Sequence, residues 1–203
     1  MTTAEPTPRR LTGGRMKLLL ILAGAALSGA VMLAWTQPWF TVVLEDAAEL
    51  AITGETAAAG LSALALAGLV LVVAISIAGP FFRVVLGTLQ ALLGVAVVFS
   101  AIVALSDPVA ASAPVISEAT SIAGDGPVRA LVESVAISPW PSVALAAGVL
   151  LVVNATLILV TARLWPGSSR KYQAVRLEPA SDERSAVDDW DSLTGGEDPT
   201  AKR

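Results

Sequence analysis

The chain has 203 residues, of which 55% are hydrophobic and 15% are charged, and its formal net charge is −4. A soluble domain does not hide that much aliphatic surface, so the composition predicts a membrane protein. The sequence has no cysteine and no histidine. Disulfides and thiolate chemistry are therefore excluded, as are the commonest general base and metal ligand.

The chain begins with a basic segment, residues 1–17, followed by an apolar run over 18–35. Four basic residues lie in this segment: Arg9, Arg10, Arg15 and Lys17. This order is compatible with a signal peptide or with an uncleaved first transmembrane helix. The apolar run is longer than the usual signal-peptide core of about 7–15 residues. We therefore favour an uncleaved helix, with the basic segment in the cytoplasm.

The first loop, residues 36–56, carries acids but no lysine or arginine. Trp39–Leu44 is rich in residues that favour strands, and Glu49–Thr53 can pair with it across a turn at Glu45–Ala48. The loop is therefore predicted to contain a short β-hairpin.

Residues 57–78 and 84–105 are two apolar segments, each long enough to cross a hydrocarbon core of about 30 Å. Only Gly79–Arg83 separates them, which predicts a tight turn between two antiparallel spans, with Pro80 ending the first helix. Arg83 is the one charged residue in this stretch and is assigned to the turn.

The second loop, residues 106–140, is predicted to contain a short helix over Pro108–Ile122. A strand over Val128–Ile137 would join the hairpin in a small sheet. A fourth span follows at 141–164, and Pro141 suits its start. The remainder, residues 165–203, has too few apolar residues for a core and is predicted to be disordered. The fold class is thus an all-α membrane protein with four transmembrane helices and a small extracytoplasmic β element.

Positive charge near the ends of the spans predicts the orientation. The N-terminal segment, the central turn and the stretch after the fourth span are basic, whereas the two long loops are acidic. Both termini are therefore expected in the cytoplasm, in a multi-pass plasma-membrane protein. Four tryptophans near the span ends are candidate interface anchors: Trp35, Trp39, Trp140 and Trp165.

Apart from Arg163 at the end of the fourth, no ionisable residue falls within the four predicted spans, which disfavours a proton relay. Gln90 and Asn154 are the costliest polar residues to bury there, and hydrogen bonding between helices is favoured over a substrate contact. Gly24 and Ser28 have the spacing of close helix packing, within the bundle rather than in a dimer. The sequence leaves open whether the protein forms a homo-oligomer. No metal, cofactor or nucleic-acid partner is predicted.

The tail holds a candidate partner motif near its end. Its residues are Trp190, Leu193, Glu197, Asp198, Pro199 and Thr200. The first two are three positions apart, so one helical turn can present both to a cytoplasmic partner. A solvated acidic tail without a partner is an equally weighted alternative.

These features together resemble the tryptophan-biosynthesis-associated membrane proteins of actinobacteria. The residues that carry the resemblance are Gln37-Pro38-Trp39, Trp140-Pro141, Trp165-Pro166 and the tail from Trp190 to Thr200. Lys171, inserted between Arg170 and Tyr172, departs from the family pattern, as does Thr194-Gly195. The resemblance implies a gene neighbourhood of tryptophan synthesis but supplies no catalytic residues.

We therefore expect a non-enzymatic membrane accessory protein of tryptophan biosynthesis, whose tail docks a cytoplasmic protein. The alternative is a small permease or exporter for tryptophan or an aromatic precursor. That alternative depends on the outer tryptophans and on Gln90 and Asn154.

Overall fold

The computed structural model describes residues 13–162 and Trp165. Three of its helices are long and apolar enough to cross a membrane: α1 (Gly13–Thr36), α4 (Pro80–Ser106) and α7 (Trp140–Thr161). The first loop adds strands β1 (Pro38–Leu44) and β2 (Glu49–Thr53) and a single turn, α2 (Gly54–Ala57). A shorter apolar helix, α3 (Leu61–Ile77), has 17 residues. The second loop contributes α5 (Pro108–Thr120), α6 (Asp125–Leu131) and β3 (Val132–Ile137).

The four apolar helices form a bundle in which α4 packs most extensively against α7, and α1 packs against both α3 and α7. Close contacts between residues of neighbouring helices show the relative directions of the helices. Gly24 and Ser28 of α1 face Val72 and Gly68 of α3, so these two helices are antiparallel. Gly94 of α4 lies against Val152 and Gly148 of α7.

The turn between α3 and α4 is shorter than predicted. Only Ala78 and Gly79 lie between the two helices, and both are extended. Pro80 begins α4 instead of ending α3, because proline at the first helical position loses no hydrogen bond and has a suitable φ. Arg83 therefore lies in the first turn of α4, where its backbone N–H donates to Gly79 O at 2.9 Å. The candidate span α4 thus starts before the predicted span at 84–105 and includes one ionisable residue near its beginning.

The two long loops form one three-stranded antiparallel sheet in the order β2-β1-β3. Phe40 of the central strand pairs with Ile52 on one side and Ile137 on the other. The predicted hairpin and the small sheet are confirmed. Phe40, Val42 and Leu44 alternate along β1 and are buried, because one face of the sheet covers the end of the bundle.

The predicted strand over Val128–Ile137 is only half correct. Its first residues belong to α6, and β3 begins at Val132. Gly124 precedes α6 with φ 104°, a conformation that glycine adopts without strain, and Pro127 fits the first turn that follows. The predicted helix in the earlier part of this loop is present as α5.

Candidate functional site

A group of uncharged polar side chains lies inside the bundle. Gln90 on α4, Asn154 on α7 and Ser28 on α1 are 0%, 4% and 0% exposed. Both carboxamides point to the same place on α1. A Cβ atom added to Gly24 would lie 3.1 Å from Asn154 Nδ2 and 3.2 Å from Gln90 Nε2. The two residues singled out from the sequence are therefore brought together, and Gly24 leaves the room that both amides need.

These polar atoms are not paired with each other. The Ser28 hydroxyl and both polar atoms of Gln90 and of Asn154 are buried without a hydrogen-bond partner in the part of the chain that the structure describes. Most buried polar groups in proteins do have a hydrogen-bond partner, since burying such a group without one costs about 1–3 kcal/mol. We call Gln90 and Asn154 the amide cluster; the Ser28 hydroxyl, one turn further along α1, points to Gly68 of α3.

A second polar group lies where α1 and α4 begin and where α3 and α7 end. Arg83 is 2% exposed, and one of its terminal N–H groups donates to Ala162 O at 3.2 Å. Its guanidinium carbon lies 5.0 Å from the centre of the Trp165 ring, a cation–π contact. Lys17 Nζ donates to Ser76 O at 2.7 Å. We call this region the basic end.

The opposite end of the bundle, beneath the sheet, is acidic. All eight described acids lie in its loops: Glu45, Asp46, Glu49, Glu55, Asp107, Glu118, Asp125 and Glu133. Asp107 caps α5 by accepting from the backbone N–H of Ala110 at 3.0 Å and forms an ion pair with Arg129. The hydrogen bond from Arg129, followed by that from Ala110, lowers the pKa of Asp107. Among the described residues, no group of three or more acids could hold a metal ion.

The four predicted anchors differ in their surroundings. Trp39 is fully buried and donates from Nε1 to Ala34 O at 2.8 Å, and Trp165 is 4% exposed against Arg83. Neither ring faces outward. Trp35 and Trp140 are half-buried, but Trp35 Nε1 is buried and has no partner among the described residues, so Trp140 fits the anchor prediction best. The candidate partner motif, Trp190, Leu193 and Glu197–Thr200, lies outside the described residues.

Sequence reasoning missed the basic end and one close helix contact. Arg83 was visible as a lone charge in an apolar stretch, but its position beside Gly-Pro suggested a turn. Gly148 was not singled out, although Ala144 and Gly148 have the four-residue spacing of small residues. A Cβ on Gly148 would lie 2.9 Å from Val98 Cγ2 and 3.1 Å from its backbone nitrogen.

Comparison with known proteins gives one positive finding. No curated protein and no solved structure matched the chain. The model of one family, described as tryptophan-associated transmembrane protein, matches residues 17–200, which include all four apolar helices, both loops and the tail motif. The resemblance noted from the tryptophan-proline exits and the tail is thereby confirmed. The chain belongs to the family of tryptophan-associated transmembrane proteins.

Proposed function

We propose that the protein is a non-enzymatic accessory protein of tryptophan biosynthesis that spans the membrane four times. The fourth span is α3, which at about 1.5 Å per residue is about 26 Å long. It connects the sheet, at the acidic end, to the start of α4, at the basic end. It therefore has to run the length of the bundle, although it is shorter than its neighbours.

The basic end faces the cytoplasm in this proposal, and the membrane is the plasma membrane. Arg15, Lys17 and Arg83 are at the basic end, while Arg129 is the one base described at the acidic end. Excess positive charge next to spans is retained on the cytoplasmic side. Cysteines introduced singly at Ser134 and at Thr2 test this orientation with a membrane-impermeant thiol reagent. Labelling of Ser134→Cys but not of Thr2→Cys in intact cells is expected, and the reverse pattern would reject it.

The tail docks a cytoplasmic protein, and an enzyme of aromatic amino-acid synthesis is the expected partner. The observation that carries this role is the extent of the family match, which continues about 40 residues past α7, through the polar tail, to residue 200. A mere linker needs neither Trp190 nor Leu193. Together with the acids around them, these two residues can form an amphipathic turn that binds a groove on the partner.

The test is cross-linking in cells, comparing the full chain with a chain that lacks residues 182–203. Loss of a cytoplasmic partner on truncation is expected, and Trp190→Ala together with Leu193→Ala should have the same effect. Asp182→Ala, in the same tail but outside the motif, is the matched control. If the truncated chain retains every cross-linked partner, the docking role is wrong.

A small permease for tryptophan or a precursor is the second candidate, and the amide cluster favours it. Polar atoms buried in a membrane protein without partners are available to a passing solute. Tryptophan flux across vesicles should then exceed that of protein-free vesicles and fall in Asn154→Leu, but not in Thr88→Val, which changes an exposed hydroxyl. Equal flux with and without the protein would eliminate this candidate.

A further inference from the structure

Arg83 is a buried cation whose bonding is incomplete. Its Nε is buried and has no hydrogen-bond partner among the described residues, although a terminal nitrogen reaches Ala162 O. The Trp165 ring contributes only the attraction of its π face. Burying a charge without a counter-charge is costly, and buried cations are normally paired with an anion.

Lys17 adds a second positive charge close to the first. It is half-buried, and the charge of Arg83 repels it. Each cation is bonded to a carbonyl at the C-terminal end of a helix: Lys17 to Ser76 of α3, and Arg83 to Ala162 just after α7. A helix C-terminus carries only about half an elementary negative charge, so these bonds compensate the two cations in part.

The described residues supply no carboxylate that could neutralise the remaining positive charge of Lys17 and Arg83. All their acids lie in the two loops at the acidic end, separated from Arg83 by the length of the bundle. The side chains that pack together with Trp165 at the basic end are apolar and include Leu20, Met16 and Leu86. An anion from outside the bundle is therefore the natural partner.

The surroundings of Arg83 indicate where that anion comes from. Phe81 and Phe82, immediately before it, are 74% and 62% exposed and meet edge-to-face. Exposed apolar rings at the start of a transmembrane helix face the lipid, at the end of the span that adjoins the headgroups. Arg83 belongs to the same helical turn but points inward and is 2% exposed, so its charge lies inside the bundle near the headgroup end of the helix.

We propose that Lys17 and Arg83 form a binding site for a phosphate group, supplied by the headgroup of an anionic phospholipid. Lys17 is half-buried and has two N–H donors left after bonding to Ser76, so the phosphate oxygens accept from Lys17, while the buried Arg83 contributes its uncompensated positive charge from within the bundle. Basic pockets between transmembrane helices bind anionic headgroups in this way. The phosphate completes the neutralisation that the two helix ends begin.

The experiment uses the full chain, purified in a zwitterionic detergent and stripped of lipid. Phosphatidylglycerol, phosphatidylcholine and inorganic phosphate are titrated separately, and binding is followed by native mass spectrometry and by the thermal unfolding midpoint. Phosphatidylglycerol is expected to bind and to raise the midpoint, and phosphatidylcholine is not. Lys17→Gln should weaken phosphatidylglycerol binding about fivefold, the effect of one basic residue at a membrane surface.

The matched control is Arg15→Gln, because Arg15 is exposed and lies two positions from Lys17 on α1. It should leave binding within about twofold of the unchanged chain, since an exposed charge acts on the headgroup only through screened, long-range attraction. Arg83→Gln should abolish the preference for the anionic lipid. If that variant does not fold, the comparison between Lys17→Gln and Arg15→Gln decides the question by itself.

Four results would overturn the proposal. Equal binding of both lipids would show that charge is not recognised, and equal loss in Lys17→Gln and Arg15→Gln would show a diffuse surface effect. Inorganic phosphate that matches the lipid would assign the site to a soluble anion. Phosphatidylglycerol binding that appears only after removal of residues 182–203 would show that the acidic tail occupies the site.

Discussion

The contact between α4 and α7 depends on two glycines that face each other, and it allows a quantitative prediction. A Cβ on Gly94 would lie 2.8 Å from Val152 Cγ2, 3.0 Å from Gly148 O and 3.0 Å from the Val152 backbone nitrogen. The valine methyl can rotate away, but the two backbone atoms cannot. Gly94→Ala therefore forces the helices apart until these contacts reach an ordinary 3.4 Å or more.

The expected cost follows from overpacking a close helix contact. Inserting a methyl group against a fixed backbone costs about 1–3 kcal/mol, and the better helix propensity of alanine offsets up to about 1 kcal/mol. We expect Gly94→Ala to lower the free energy of unfolding by about 1–2 kcal/mol. Separation of the helices also removes dispersion contacts along the rest of the interface, which adds to the loss.

Reversible unfolding in mixed micelles, driven by rising SDS and followed by tryptophan fluorescence, measures this difference. Gly29→Ala is the matched control, because a Cβ there meets nothing within 4 Å. It should be neutral or slightly stabilising. Gly87→Ala should fall between the two, since its contacts are side-chain atoms of Leu159 and Ile158, which can move. A Gly94→Ala protein as stable as Gly29→Ala would refute the packing described for α4 and α7.

Three further perturbations probe the rest of the molecule. Trp39→Phe removes the buried hydrogen bond to Ala34 O and should cost about 1 kcal/mol in the same SDS titration; no change would mean that the bond is not formed. The pKa of Asp107 is lower in the folded protein than in the unfolded chain, where it is near 3.8. The ionised Asp107 therefore contributes its full stabilisation above pH 3.8, and this stabilisation is lost as the pH falls through the pKa of the folded state. Carboxyl NMR should therefore show Asp107 titrating below 3.8, and a higher pKa in Arg129→Gln, which removes the largest cause but keeps the hydrogen bond from Ala110. Asn154→Leu removes a buried amide without a partner in the described part of the chain and should therefore stabilise the bundle. A loss of stability would show that Gln90 needs Asn154 as a polar neighbour.

The apolar helices and the sheet could be predicted because each depends on local composition. Long apolar runs indicate helices in lipid whatever their neighbours, and the β-branched run before Leu44 indicated the central strand. Residues 128–131, at the end of α6, were assigned to the strand because a short segment with mixed apolar residues fits both periodicities. The start of the helix after Gly124 depends on the positive φ of that glycine.

The meeting of Gln90 and Asn154 could not be predicted, because it depends on how α4 and α7 are aligned. Hydropathy gives the length of a helix but not the direction of its side chains. The same limit applies to Arg83. A charge beside Gly-Pro is expected at a turn, and only the packing of α7 shows that its side chain points into the bundle.

The amide cluster and the basic end differ in charge, and this difference matches their positions along the helices. The amide cluster, near the middle of the helices, is neutral, whereas Lys17 and Arg83 lie at the helix ends. A charge at the centre of a bilayer costs several kcal/mol more than a neutral amide, and near the headgroups this difference largely disappears. Tryptophan is a zwitterion at neutral pH and would cross this neutral centre without a counter-charge from the amide cluster. The amide cluster can therefore offer tryptophan hydrogen bonds but no counter-charge, which weighs against the permease in the choice between the two proposed functions.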